Sequence, residues 1–260
     1  MHKLVAVIAM LPCTAPVASE RVTLVVAGQS NASGVNRLDD LPTTFPINAN
    51  RLALFGNDWA WREAREPIDD PRDQPDVVSR DSSPGVGPGL AMADLLVELR
   101  PSWSIALVPA AMSGTPARRW LPAYGGEELY GLMLAKAAVA AHHYSDRVIL
   151  LWYQGESDSL SEEDASQYAD RVDALWSAFE RDIGKPVTVA FVQLPELRPT
   201  GPRWVAWERV REEQELLRGP GRVMVTAPSG PYTDGSLHLA TEAQLALGEE
   251  LARSVHGNIP

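Results

Sequence analysis

Five short runs rich in apolar residues recur along the chain, at 22–27, 104–110, 147–153, 187–193 and 222–227, and stretches of helical periodicity lie between them. The third run carries Val148, Ile149, Leu150 and Leu151 without interruption, the pattern of a strand covered on both faces. Strands that alternate with helices predict a parallel sheet between two helical layers. After the first run, Leu90, Ala93, Leu96 and Val97 share one helical face, entered through the glycine-rich 85–89 segment and ended by Pro101. Residues 129–143 read as a second helix, with Leu132, Leu134, Ala138 and Ala141 among its apolar positions. Ser161 is expected to cap a long helix in which Tyr168, Val172, Leu175, Trp176, Phe179 and Ile183 recur and which Gly184 stops. Residues 204–217 form another helical stretch, broken by Gly219-Pro220-Gly221. The last helix is expected to start at Thr241, with Gln244 three residues on in a capping-box pattern. No repeat, low-complexity tract or linker divides the chain. The fold class expected is therefore α/β, a three-layer α/β/α sandwich with a five-stranded parallel sheet, in one domain over 20–260.

The first nineteen residues read as a signal peptide. Met1-His2-Lys3 is a basic start, residues 4–18 are mostly apolar yet too short to span a bilayer, and Val17-Ala18-Ser19 offers small residues for cleavage. A buried N-terminal helix is the competing reading, but Pro12 and Pro16 would break it. The one cysteine, Cys13, lies in this segment, so removal leaves no disulfide and no thiol chemistry. No other segment suits a membrane span, and a secreted or periplasmic location is expected. The net charge of -11 argues against a nucleic-acid partner, which would need a basic face.

Polar residues collect at the ends of the runs. The first stops at Gly28 and passes into Gln29-Ser30-Asn31; Ser30 there either caps a helix or stands as a nucleophile. The second run leads to Ser113-Gly114-Thr115, the third to Gln154-Gly155-Glu156, and the fifth to a loop with Asp234 and His238. In a parallel sheet these ends share one edge, where ligands bind. A serine needs a base, and His238 is the candidate; Asp234, four residues earlier, is the candidate to orient its ring, and Glu156 either substitutes for it or, as a supporting residue, bonds nearby loop backbone and holds Gln154 in place. An oxyanion hole would draw on the backbone N–H groups of Ser30 and Gly114 and the side-chain amide of Gln154. Arg118, Arg119 and Trp120 either line a groove or form a surface helix. Residues 35–83 make a long polar stretch expected to hold short strands or turns over the site; Trp59 and Trp61 within it either stack on sugar rings or pin the loop to the core. No spacing of His, Asp or Glu suggests a metal site, and no metal or cofactor is expected.

The blocks Gly28-Gln29-Ser30-Asn31, Ser113-Gly114-Thr115 and Trp152 to Asp158 resemble those of the SGNH hydrolases. They are most similar to the branch of sialate O-acetylesterases and carbohydrate esterase family 6, with its acetylxylan-esterase-like members. Segments 59–67, 85–89 and 234–240 extend the similarity, which runs from Val22 to about Leu251. The resemblance implies a flavodoxin-like α/β/α esterase that deacetylates a carbohydrate without a metal, with its nucleophile at Ser30 and its base at His238. Two positions depart from the family pattern. The acid usually stands three residues before the histidine rather than four, and Ser113 replaces a common glycine. The expected partner is an acetylated carbohydrate substrate. The alternatives are a sialate or other small acyl ester, or a non-catalytic carbohydrate-binding protein on the same fold. The sequence leaves the oligomeric state open.

Overall fold

A computed structural model describes residues 20–259 apart from 73, 78, 81–84, 123–128 and 236. The expected signal segment, with Cys13, lies outside the described residues. Seven strands form one sheet: β1 (Glu20–Gly28), β2 (Leu52–Phe55), β3 (Trp61–Glu63), β4 (Trp103–Ala111), β5 (Arg147–Tyr153), β6 (Val187–Gln193) and β7 (Arg222–Thr226). Their order is β3-β2-β4-β1-β5-β6-β7, with every pair parallel except β2–β3. Five strands match the five apolar runs to within two residues at either end. The other two come from the long polar stretch, and β3 adds a short antiparallel edge.

Alternate residues of the central strands face opposite layers, as the pleat requires. Val25 and Ala27 join one core with α3 (Leu129–Tyr144), α5 (Tyr168–Ile183) and α6 (Trp207–Leu216). Val22, Leu24 and Val26 join the other with α2 (Pro88–Leu99) and α7 (Thr241–Asn258). The helices end where the chemistry dictates. Pro88 opens α2, where its missing N–H costs nothing, and Gly184 closes α5 in the left-handed conformation at φ 63°.

Three local expectations are corrected. The long helix after Ser161 is two helices: Ser161 caps α4 (Glu162–Ser166) by accepting from Asp164 N at 3.3 Å, and Gln167 separates it from α5. The stretch from Trp204 becomes helical only at Trp207, because Ala206 is the N-cap and its N–H bonds Ser159 O at 2.9 Å. Thr241 and Gln244 form no capping box. The Thr241 hydroxyl donates to Arg37 O (2.8 Å) and Gln244 Nε2 to Asn31 O (3.1 Å), so both side chains are drawn to the segment after β1.

Trp59 packs against the core, whereas Trp61 is 42 % exposed and lies on the surface of the sheet edge. Phe55 meets both rings, at 6.1 and 5.0 Å between centroids, and Trp61 stacks on Tyr144 of α3 at 5.6 Å. Arg118 pairs with Asp164, and Trp120 is fully buried with its Nε1 donating to Thr115 Oγ1 at 3.0 Å. These residues brace the 113–120 turn from behind.

Candidate active site

β1 lies between β4 and β5 and runs straight into the site. Gly28, at φ 128°, lets the chain turn hard against β5; a Cβ there would stand 2.0 Å from Tyr153 O. The chain then makes a single helical turn, α1 (Ser30–Ser33), which places Ser30 just past the carboxyl end of the sheet. The loop after β7 approaches from the other side. His238 Nε2 lies 2.9 Å from Ser30 Oγ, and His238 Nδ1 lies 2.6 Å from Asp234 Oδ2. The extra residue between acid and base is accommodated by a tight turn. Asp234 Oδ1 accepts from the backbone N–H groups of Leu237 (3.2 Å) and His238 (2.9 Å), leaving Oδ2 for the ring.

A cleft of 580 Å³ opens over this chain of hydrogen bonds. Gln29, Ser113, Gly114, Glu156, Ser157, Arg203 and Trp204 contribute to its walls. Gly114 takes φ 67° with open space beside it, so its backbone can face an incoming group closely. Among the described residues Trp59 is the only non-glycine with positive φ, so Ser113 sits in an ordinary conformation where the family often has glycine. Arg203 is stacked over the Trp204 ring at 4.5 Å and places a guanidinium at the cleft wall.

Electrostatics separate the acids. Partial burial favours the protonated Asp234 carboxyl, but the His238 backbone bond, the His238 charge and the Leu237 N–H outweigh it, and its pKa falls below the usual value. Glu156 is 2 % exposed, and burial raises its pKa, opposed in part by the Asn31 amide. Glu156 Oε1 accepts from Asn31 Nδ2 at 2.8 Å, whereas the two ring nitrogens of His238 meet Asp234 and Ser30. The acid in contact with the imidazole is therefore Asp234.

Gln154 is placed differently from the expectation. Its side chain is wholly buried, and Nε2 donates to Asp158 Oδ2 (2.5 Å), Thr115 O (3.0 Å) and Gln29 Oε1 (3.3 Å). It ties three strand-end turns together and offers no donor to the cleft. Asp158, which sequence reasoning passed over, completes that knot: both its oxygens accept from Ala117 N at 3.0–3.1 Å, and burial drives its pKa up to about 7. A carboxylate four residues after a strand-end amide was the available signal. Ser30 and Gly114, the other two residues expected to supply oxyanion donors, both line the cleft.

The arrangement can activate a hydroxyl, hold the resulting imidazolium and receive a planar acyl group. Comparison with known proteins gives the family. The family model described as carbohydrate esterase, sialic acid-specific acetylesterase matches residues 21–256. A probable carbohydrate esterase from Arabidopsis thaliana is 33% identical over 220 residues, covering 84% of this chain and 79% of the relative. The X-ray structure of that Arabidopsis protein superposes with a TM-score of 0.77 at 29% identity, covering 92% of this chain and 99% of the other. A carbohydrate acetylesterase from Xanthomonas citri shares the fold, with a TM-score of 0.60 at 18% identity over 91% of this chain and 56% of its own. A serine, its histidine and a facing carboxylate at the carboxyl edge of an α/β/α sheet thus stand within a match over nearly the whole described chain, and the protein belongs to the carbohydrate esterase family of sialic acid-specific acetylesterases.

Proposed function

We propose that this esterase removes O-acetyl groups from a glycan of the acetylxylan type through Ser30, His238 and Asp234. The observation that carries the reading is the unbroken chain Asp234 Oδ2, His238 Nδ1, His238 Nε2, Ser30 Oγ, open to the cleft at its serine end. Ser30 Oγ attacks the acetyl carbonyl carbon while His238 Nε2 takes its proton. The carbonyl π electrons move to oxygen, which the N–H groups of Ser30 and Gly114 receive. When the carbon–oxygen π bond re-forms, the bond to the sugar oxygen breaks, and the sugar leaves with the proton from His238. Water then attacks the acetyl-serine, gives a proton to His238, and acetate departs as Ser30 regains its hydrogen. Asp234 stays ionised throughout, consistent with its lowered pKa.

Acetate release from acetylated xylan, O-acetylated sialic acid and an aryl acetate tests the reading, with Ser30→Ala as control. Release from xylan that the variant abolishes is expected. Release that survives in Ser30→Ala would remove Ser30 from the reaction. A second reading rests on Arg203, whose guanidinium in the cleft wall suits the carboxylate of an acidic sugar, as the family's description also suggests. Preference for the sialate ester, lost in Arg203→Ala, would favour it. Residues 1–19 support a proposed export to the periplasm or medium; N-terminal sequencing of the protein recovered from the cell exterior checks it.

A further inference from the structure

Asp234 and His238 stand on the same loop, and every Asp234 bond given above stays within it. The pair can orient the ring but cannot fix its distance from Ser30, which belongs to a different strand end. Contacts from the segment after β1 reach the loop: Asn36 Nδ2 donates to Leu239 O at 3.2 Å, and Asn31, the chain neighbour of Ser30, reaches both sides of His238. Asn31 is 1 % exposed, and its amide meets four groups. Nδ2 donates to Glu156 Oε1 (2.8 Å) and Leu237 O (3.2 Å), and Oδ1 accepts from Leu239 N (3.1 Å) and Gln244 Nε2 (3.3 Å). One amide thus grips the backbone on both sides of His238. Its plane has one satisfactory orientation, because a flip would set its oxygen against the two acceptors and its NH2 group against the two donors.

We propose that Asn31 is a positioning residue that holds His238 in register with Ser30, with Glu156 and Gln244 fixing the Asn31 amide. The inference rests on the reading of Ser30 and His238 as nucleophile and base. It assigns the buried Glu156 a task at one remove from the imidazole, and it accounts for Gln244 pointing away from its own helix end. Displacement of a base by about 1 Å costs on the order of 10²-fold in rate.

The test is a double-mutant cycle with 4-nitrophenyl acetate, whose aryl oxide leaves without a proton, so turnover in His238→Ala stays measurable. Asn31→Ala is expected to lower kcat by about 10²-fold with KM changed less than about twofold. In the His238→Ala background the same substitution should change kcat less than about threefold, because the group it positions is gone. An equal loss in both backgrounds, or no loss in the native background, overturns the proposal. Full activity in His238→Ala alone would instead overturn the reading beneath it. Asn31→Asp keeps the shape while removing the donor to Leu237 O, so it should also lose rate; wild-type kcat there overturns the proposal should Asn31→Ala fail to fold. A crystal structure of a folded Asn31 variant needs no turnover: retention of the 2.9 Å Ser30–His238 bond overturns the proposal, and its loss supports it.

Discussion

Two carboxylates stand near one imidazole, and their surroundings give them different work. Asp234 is half open to solvent, ionised and bonded to the ring, whereas Glu156 is enclosed, raised in pKa and bonded to Asn31. Asp234→Asn is therefore expected to lower kcat by about 10²–10⁴-fold, with native far-ultraviolet circular dichroism, through loss of the ring's proper tautomer and of charge stabilisation. Glu156→Gln should cost far less, because its neutral amide still has an oxygen to accept from Asn31; the ratio of the two rates measures the division. That Ser30, Asp234 and His238 converge was readable from sequence, because parallel strands deliver their following turns to one edge. The direction of the Gln154 amide was not. A strand-end glutamine looks the same in sequence whether it faces ligand or core, and here Asp158, Thr115 and Gln29 draw it inward. The same limit concealed Gln244, whose spacing from Thr241 fits a capping box while its partner, Asn31, lies 213 residues away.

Elements buried on both faces announce themselves, and edge elements do not. β5 and β6 coincide with their apolar runs because strands covered by helices on both faces are mostly apolar. β2 and β3 are four and three residues long, embedded in a proline- and charge-rich stretch whose local pattern reads as loop. They exist because β4 offers an edge and because Phe55 meets Trp59 and Trp61, the latter stacked on Tyr144 of α3. At the other extreme, the β1–α1 junction tolerates no side chain at Gly28. Gly28→Ala would combine a disfavoured φ with overlap on the Tyr153 backbone, and a loss of roughly 3 kcal/mol or more in urea unfolding is expected. The polar stretch also carries a buried acid. The Glu66 carboxyl is pushed up to about 8, chiefly by burial, against a hydrogen bond from Ile68 N. Its folded pKa lies above the unfolded one, so its contribution to stability is full below about pH 4.5 and disappears as pH rises through about 8. Glu66→Gln should flatten the fall in unfolding free energy between pH 5 and pH 8 by a few kcal/mol. An unchanged slope would show that the carboxyl is ionised in the fold.

Over the whole molecule, the net charge of -11 surrounds a cleft that itself contains Glu156 and Asp234. Such a field slows the approach of anions and is screened by salt. The kcat/KM for a negatively charged acetyl ester should therefore rise severalfold between low and physiological ionic strength, while that for a neutral ester stays nearly constant. Equal responses would place the steering in Arg203 and its immediate neighbours. The sheet order has a different kind of consequence. β1 is made first, yet the strands that flank it, β4 and β5, begin at Trp103 and Arg147. While the ribosome adds those residues, the strand that leads to Ser30 is an unpaired apolar ribbon, open to mispairing with other nascent chains. The proposed base arrives later still, at residue 238. On the proposed reading, a chain released early retains the serine and lacks the imidazole, so full turnover doubles as a report that translation ran past the final loop.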